Sequence, residues 1–363
     1  MYYYDKYNNI YYNRNDALLS SNECKFYYCE KEFDLVDWKT EPQKSFKQLY
    51  KERAEWIRDN YEYVVLAYSG GIDSTNILES FYFNNITIDE ILCVGAFSQN
   101  YDNGTDRNAC DDHYLNAFPV LKSLNFPNTK ITIFDFSENY NNPLSFPIIC
   151  NNGNDWYKKI GGYYGMWHFS WNSIFEKYFN NKKTAIIFGI EKPFLHYNLK
   201  TNGIYLYYGD KSLTAYIFKG DGSLPQHENV SKINFYTSAE STDIMKKQAH
   251  AIIKFQKNVN KICNSPFSTE YFFTETNFWC ESFLGNIIYP DLKNPPSHIV
   301  KKSSNNLFSV YDSFMINKKN SDIYKIYIDG LKKMKNELIS KNIKFNAITK
   351  HMYTKFYYID SLV

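Results

Sequence analysis

The sequence has no Cys-x-x-Cys pair, although its 363 residues include 7 cysteines. This absence excludes a treble-clef zinc site and a redox dithiol, because both need closely spaced thiols. Scattered, unpaired cysteines are typical of a reducing cytoplasm. Cys93 lies inside an apolar run, so we expect it to be a small buried hydrophobic residue.

The sequence also lacks a long apolar run and an excess of either charge. No stretch approaches the roughly 18 apolar residues of a membrane span, and the start, Met-Tyr-Tyr-Tyr-Asp, does not resemble a signal peptide. We therefore expect a cytoplasmic protein (in the host cytoplasm if it is viral) with no membrane partner. With 41 basic and 39 acidic residues, the composition favours a small-molecule substrate, although a local basic pocket for nucleic acid is not excluded.

No internal repeat and no long low-complexity linker divides the chain. The apolar fraction of 44% and the charged fraction of 22% are those of a globular protein. The length allows one large domain or two ordinary ones. We predict an N-terminal strand and helix extension over 1–60, the main domain over 61–200, and a mixed lobe over 201–363 that packs closely against it.

Apolar runs alternate with helical patterns in the predicted main domain. The run at 63–68 is continuously apolar and leads into a glycine pair, as in a strand buried on both faces. Further strands are predicted at 91–96, 131–136 and 184–189, and helices at 74–83, 106–124 and 166–178. This alternation implies right-handed crossovers and a parallel sheet. The predicted fold class is α/β: a Rossmann-like parallel sheet with helices on both faces, plus a smaller mixed α+β C-terminal lobe.

The flanking segments have weaker patterns. An aromatic stretch at 25–29 suits a strand, and a helical pattern runs from Glu41 to about Arg58. In the C-terminal lobe, 205–208 and 215–218 are predicted to form a hairpin, and 242–256 and 322–340 to be helices. The predicted apolar face of the helix that starts at Glu41 comprises Phe46, Leu49, Tyr50, Ala54 and Ile57.

The most informative segment has the sequence Tyr-Ser-Gly-Gly-Ile-Asp-Ser-Thr and occupies 68–75. It follows a buried strand and opens a helix, so backbone N–H groups and the positive helix end point at one place. A structural turn with an Asp or Ser cap is the alternative, but such a turn rarely needs two glycines and three hydroxyls together. The segment is not a Walker A loop, because the Gly-Lys-Ser/Thr ending is missing. Its predicted phosphate-binding residues are Ser69, Gly70, Gly71, Asp73, Ser74 and Thr75, and the Asp73 carboxylate can also hold Mg²⁺.

This segment resembles the Ser-Gly-Gly-x-Asp-Ser signature of the PP-loop ATP pyrophosphatases. That superfamily includes asparagine, GMP, NAD and argininosuccinate synthetases and several tRNA-modifying enzymes. The resemblance is strong over the loop and extends over roughly 60–195, with a looser similarity beyond it to asparagine-synthetase-like phage proteins. It implies that ATP and Mg²⁺ are the cofactors. It also implies that a substrate oxygen attacks the α-phosphate, giving an adenylate and pyrophosphate.

The resemblance also implies roles for residues outside the loop. Asparagine synthetases carry an acidic, glycine-containing loop where this chain has 188–193, and that loop helps to bind Mg-pyrophosphate. By resemblance, Gly189 contacts the nucleotide, Glu191 joins Asp73 as a metal ligand, and Lys192 is a catalytic pyrophosphate contact. This chain has one acid there rather than several, so an ordinary surface Glu-Lys pair is the alternative. Phe97 follows the second strand, where the superfamily contacts adenine.

Other polar residues are weaker candidates for the site. His113 is better explained as part of a solvated helix start than as a catalytic residue. Gln248 and His250 can reach a cleft from the second lobe, but surface positions are slightly favoured. A second group of equally weak candidates for the site comprises Glu275, Trp279, Cys280 and Glu281.

The leading hypothesis is therefore a ligase or amidotransferase-like enzyme that adenylates a carboxylate, amide or carbonyl for attack by a nitrogen nucleophile. Tyr2 follows Met1, so we expect no N-terminal glutaminase nucleophile, and ammonia, an amine or a partner protein would supply nitrogen. The alternative is tRNA or nucleic-acid base modification, by thiolation or amination, although thiolating relatives use paired cysteines. Sulfonucleotide reductases usually have Lys or His in place of Ile72, and the intact Asp73 argues against nucleotide sensing alone. The acceptor is not specified, because specificity lies in the second lobe.

Overall fold

The fold is given by a computed structural model. It describes residues 2–20, 24–95, 97, 110, 112–135, 147–159, 171, 174–178, 182–190, 192–198, 200–210, 229–263, 285–296, 321–341 and 352–361.

The chain forms short strands and helices in mixed order. The strands are β1 (Tyr2–Tyr4), β2 (Ile10–Tyr11), β3 (Lys25–Tyr27), β4 (Tyr63–Ala67), β5 (Glu90–Gly95), β6 (Lys130–Asp135), β7 (Thr184–Phe188), β8 (Phe194–Asn198), β9 (Gly203–Tyr207), β10 (Val230–Asn234) and β11 (Tyr357–Ser361). The α-helices are α1 (Arg14–Ser20), α2 (Glu30–Phe33), α3 (Phe46–Asn60), α4 (Ile72–Tyr82), α5 (Phe118–Ser123), α6 (Pro147–Asn152), α7 (Thr242–Cys263) and α8 (Asp322–Ser340). A π-helical segment, the π-turn (His113–Ala117), leads into α5, and 3₁₀ turns occupy Gly153–Lys159 and Ala239–Ser241.

A 5-stranded parallel sheet in the order β10-β7-β4-β5-β6 forms the centre of the fold. Chain order runs outward from β4 to β5 and β6 on one side, and then to β7 and β10 on the other. The strand order therefore reverses beside β4, and its carboxyl end lies at the point where open α/β sheets bind ligands.

Helices cover both faces of this sheet. Val64 and Leu66 of β4 pack into a core that includes α3, α4, α5 and α7. Val65 packs into a second core with α8, Trp171 and residues of 174–178. Successive residues of a strand point to opposite faces, so a strand between two apolar layers must be apolar throughout. The predicted α/β class, with helices on both faces, is confirmed.

The strands predicted in the main domain are confirmed with small shifts at their ends. The predicted helix from Glu41 begins later, at Phe46, with its apolar face buried as expected. Ser45 caps it: Ser45 Oγ accepts a hydrogen bond from Gln48 N (3.2 Å), and Gln48 Oε1 accepts one from Ser45 N (2.9 Å). The helix predicted at 74–83 begins earlier, at Ile72. The helix predicted at 106–124 is divided in its described part: the π-turn occupies His113–Ala117, and α5 occupies Phe118–Ser123.

Two small antiparallel sheets flank the parallel sheet. The N-terminal one has the order β2-β1-β3, and the other has the order β11-β9-β8. The predicted hairpin partner of the strand near 205–208, at 215–218, lies outside the described residues. In the structure β9 pairs with β8 and β11. Arg14 connects α1 to this region, because its Nε donates to Asp210 Oδ2 at 2.6 Å and both side chains are fully buried.

The elements near residue 200 are interleaved. The predicted division between main domain and second lobe falls between β8 and β9, which pair with each other. Downstream of it, β10 pairs with β7 in the parallel sheet over its whole length. Residues after 200 thus contribute both to the central sheet and to the smaller mixed region.

Within the described ranges, no helix combines the length and the apolar character that crossing a membrane requires. The longest, α7, carries lysines along its length.

Candidate functional site

The loop between β4 and α4 is held by its own hydroxyl groups. Ser69 Oγ lies 3.3 Å from Ser74 Oγ and accepts a hydrogen bond from Gly71 N (3.3 Å), while Ser74 Oγ donates to the Gly71 carbonyl (3.1 Å). Thr75 is buried and its hydroxyl lies 3.3 Å from that of Tyr68. Ser74 is also buried, and the hydroxyl contacts hold Ser69 and Ser74 together at the start of α4.

The start of α4 presents backbone donors. Gly71 is the N-cap residue and has no side chain to accept from the first turn, and the first intrahelical hydrogen bond is Thr75 N to the Gly71 carbonyl at 2.9 Å. The N–H groups of Ile72, Asp73 and Ser74 precede that bond, so the helix itself does not use them. Together with the helix dipole they favour an anion at this position.

Two glycines permit the close packing around the loop. Gly70 has φ +78°, and a Cβ there would lie 2.5 Å from Ala117 N and 2.7 Å from the Asp112 carbonyl. A Cβ on Gly189, just after β7, would lie 3.1 Å from Asp73 C and 3.1 Å from Ser74 N. The loop is thus wedged between the π-turn and the end of β7, and a side chain at Gly70 would separate them.

Asp73 is bound through three of its oxygen atoms. Lys192 Nζ donates to Oδ2 at 3.0 Å, Tyr289 OH donates to Oδ1 at 2.5 Å, and Tyr236 OH donates to the backbone carbonyl at 2.7 Å. The Asp73 and Lys192 side chains are 27% and 26% exposed, whereas Tyr236 and Tyr289 are buried. The carboxylate is therefore fixed from the protein side by tyrosine and neutralised from the solvent side by lysine.

Burial, reinforced by the negative charge of Asp73, raises the pKa of Tyr236 and of Tyr289 well above its usual range. Both hydroxyls consequently stay protonated and act as donors to Asp73 at ordinary pH. Asn76 Nδ2 donates to Tyr236 OH at 3.0 Å, so the Tyr236 hydroxyl is itself held in place.

A cleft opens where three neighbouring strands end. It holds about 480 Å³ of empty space, including part that is open to solvent. The lining combines loop hydroxyls, an imidazole and a largely apolar wall: Ala67, Tyr68, Ser69, Ser74, Leu92, Val94, His113, Trp171, Phe188, Gly189 and Ile190. A pocket with a few convergent polar groups on an apolar wall is typical of a small-molecule site.

His113 belongs to this cleft, contrary to the solvated helix start expected from its neighbours. It is 1% exposed, and its ring lies edge-on to Phe97 with centroids 5.1 Å apart. It occupies the π-turn, a kind of helix distortion that often occurs at functional sites. Phe97 is not among the lining residues; its ring covers Gly95, where a Cβ would lie 2.6 Å from it.

Lys232 is a cation near the cleft that the sequence did not single out. It lies on β10, paired in register with Ile186, and its Nζ is 5.7 Å from the ring centroid of Phe188, which lines the cleft. Burial lowers the pKa of Lys232 to about 7. A lysine of this kind changes charge near neutral pH.

The remaining candidates separate into two groups. Gln248 is buried, rather than at the surface, and donates to Tyr50 OH at 3.2 Å; His250 hydrogen-bonds to the Trp38 carbonyl at 2.9 Å. Neither lines the cleft. The predicted residues Glu191, Glu275, Trp279, Cys280 and Glu281 lie outside the described residues.

The described residues contain no group of three or more His, Cys, Asp or Glu side chains that could hold a metal ion. Mg²⁺ does not require such a group, because it keeps several waters and is commonly held by one or two carboxylates plus substrate phosphates. Asp73 at the start of α4 fits a Mg²⁺ ion that binds together with a nucleotide. The donor set does not fit a zinc site, which needs several nitrogen or sulfur ligands.

A search with models of protein families finds no match to this chain, and a search of curated proteins finds no relative.

Proposed function

We propose that the chain is an ATP-dependent adenylating enzyme that converts ATP into AMP and pyrophosphate. One observation carries the proposal: Ser69 and Ser74 line a cleft at the carboxyl edge of the parallel sheet, beside the start of a helix whose first N–H groups have no side-chain cap. Ligands of open α/β sheets bind at this edge, and a helix start at that place favours phosphate. The loop sequence, which resembles that of the ATP pyrophosphatases, specifies the kind of phosphate chemistry.

The loop and its neighbours would bind the pyrophosphate part of ATP. Backbone N–H groups at 72–74 and the hydroxyls of Ser69 and Ser74 donate to phosphate oxygens, and Gly189 leaves room for close approach. Asp73 would hold Mg²⁺, which neutralises phosphate charge and stabilises the leaving pyrophosphate. Lys192, 3.0 Å from Asp73, adds a second positive charge where negative charge accumulates.

The apolar side of the cleft suits the nucleoside. Leu92, Val94, Trp171 and Phe188 form a wall at the ends of β5 and β7, on which a base can be buried or stacked. An apolar wall also excludes water, and this protects a reactive adenylate from hydrolysis.

The acceptor that best agrees with this chemistry is a carboxylate, amide or carbonyl, whose oxygen attacks the α-phosphate of ATP and releases pyrophosphate. Ammonia or an amine then attacks the carbon that bears the adenylate and displaces AMP. Base thiolation needs a reactive thiol. Cys93, the cysteine of β5, is fully buried, and burial raises its pKa to about 12, so it stays protonated and inert. This observation favours nitrogen transfer over thiolation by that residue.

The reverse reaction tests whether an adenylate forms. Purified protein is incubated with ATP, Mg²⁺, labelled pyrophosphate and a pool of small carboxylates and amides, or with tRNA in a parallel sample. Label that enters ATP only when an acceptor is present supports the proposal and identifies the acceptor class. If no label enters ATP with any acceptor, although the protein binds ATP, adenylation is not its reaction.

A further inference from the structure

A segment far along the chain packs against the first turn of α4. Residues 285–288 form a short helical turn, closed by the hydrogen bond from Tyr289 N to the Gly285 carbonyl at 2.8 Å. A Cβ on Gly285 would lie 2.2 Å from Ile72 Cδ1. This segment therefore packs closely on the side chain of the residue that begins α4, and the terminal methyl group of Ile72 would have to move to admit a side chain at position 285.

Hydrogen bonds at two places fix this segment to α4. At one end, Tyr289 OH donates to Asp73 Oδ1. At the other end, the buried carboxylate of Glu79 accepts from Lys293 N at 2.7 Å and from Asn294 N at 2.6 Å. The Glu79 contact is a structural anchor, because Glu79 lies further along α4 and does not line the cleft.

The two partners of the Asp73 carboxylate differ in their freedom to move. Tyr289 is 3% exposed, and its ring packs against those of Tyr50 and Tyr236 with centroids 5.9 and 5.5 Å away. The Lys192 side chain is 26% exposed, and its ammonium group lies at the end of a long flexible chain. A ligand that enters from solvent can displace the Lys192 ammonium from Oδ2, whereas the Tyr289 hydroxyl stays on Oδ1.

We propose that Tyr289 is a positioning residue. Its hydroxyl holds Oδ1 of the Asp73 carboxylate in place, so that Oδ2 can release the Lys192 ammonium and bind the Mg²⁺ ion of the bound nucleotide. This inference rests on the proposed function, since it assumes that Asp73 holds Mg²⁺. Hydrogen bonds to metal ligands orient the ligand and commonly change metal affinity by about 10- to 100-fold. Tyr289 would thus act on nucleotide binding through Asp73 without touching the nucleotide.

The test is Tyr289→Phe, which keeps the ring and removes the hydroxyl. Trp171 lines the cleft, so tryptophan fluorescence serves as the probe of ATP binding, first in EDTA and then over a Mg²⁺ titration. We expect ATP binding in EDTA to be unchanged and the half-saturating Mg²⁺ concentration to rise about 10-fold or more. The Asp73→Asn background should abolish this effect, because the two residues act as one unit.

Glu79→Gln is the control, because it loosens the other end of the segment without removing a group that touches Asp73. It is expected to lower the melting temperature while keeping the wild-type Mg²⁺ dependence. A folded Tyr289→Phe protein with wild-type Mg²⁺ dependence, or one whose defect persists in the Asp73→Asn background, overturns the positioning role. If wild-type protein binds no ATP at all, the proposed function itself fails.

Discussion

The Lys192 ammonium lies 3.0 Å from Asp73 Oδ2. Neither residue lines the cleft, but Asp73 directly precedes the lining residue Ser74. Lys192 and Asp73 are 119 positions apart in the chain, and the adjacent position of β4 and β7 in the sheet brings them together. The ion pair places a carboxylate and a partly exposed ammonium group beside the loop that offers backbone N–H donors. Its role in catalysis depends on whether the Lys192 ammonium leaves Asp73 and binds a phosphate group when ATP is present.

Lys192→Met tests that exchange. Loss of a cation that stabilises the leaving pyrophosphate is expected to lower turnover roughly a hundredfold, while the melting temperature changes little, because a partly exposed ion pair contributes only about 0–1 kcal/mol. Steady-state kinetics and thermal denaturation measure the two effects. Lys183→Met is the control: Lys183 is exposed and precedes β7 at the opposite edge of the sheet. Equal activity of the two variants would remove Lys192 from the mechanism.

Gly70→Ala tests the wedging of the loop against the π-turn. The added Cβ would lie 2.5 Å from Ala117 N on a residue with φ +78°, so we expect a loss of about 2–3 kcal/mol in unfolding free energy. Gly71→Ala is the paired control, since its Cβ would only make ordinary contact, 3.4 Å from Ser69 Oγ. Urea denaturation gives both values. A Gly70→Ala protein as stable as Gly71→Ala would mean that the loop can move away from Ala117.

The fold was more predictable than the site, and the reason is the range of the signals. The continuous apolar run of β4 and the glycine pair after it are local signals. The strand, the turn and the helix were therefore predicted to within one or two residues of their ends. Tyr289 meets Asp73 across 216 residues, and nothing in its neighbourhood marks it among 34 tyrosines. Lys232 resembles any other lysine in sequence, and its lowered pKa arises only after β10 joins the sheet.

His113 shows how tertiary packing overrides a local pattern. The acidic residues before it favoured a solvated helix start. In the structure the same stretch forms a π-turn that packs on Gly70, with the Asp112 carbonyl 2.7 Å from the position of a Gly70 Cβ. That contact buries His113 and turns it toward the cleft. The start of α3 has a local cause instead, because the capping box of Ser45 and Gln48 fixes Phe46 as its first residue.

Lys232 predicts a specific dependence of stability on pH. The pKa of Lys232 is about 7 in the folded protein, against about 10.4 in an unfolded chain. Between these values the unfolded chain binds more protons, so the contribution of Lys232 to stability rises with pH through this window and is lost as pH falls through 7. We expect Lys232→Met to be more stable than wild type at pH 6, and the difference to shrink steadily toward pH 10.

Thermal denaturation of both proteins at closely spaced pH values measures this difference. Lys183→Met serves again as the control for the loss of an exposed lysine, and its difference from wild type should not vary with pH. A Lys232→Met difference that is constant from pH 6 to pH 10 would show that Lys232 keeps its proton in the folded state.

The central claim is that the loop at 69–75 directs cleavage of ATP between the α- and β-phosphates. The most direct measurement is turnover of α-labelled ATP by wild-type protein and by Asp73→Asn, in Mg²⁺, with the acceptor class found by pyrophosphate exchange. The account predicts labelled AMP as the main product. It also predicts a rate at least roughly a hundredfold lower for a folded Asp73→Asn protein. Labelled ADP as the main product, or equal rates for the two proteins, would contradict it.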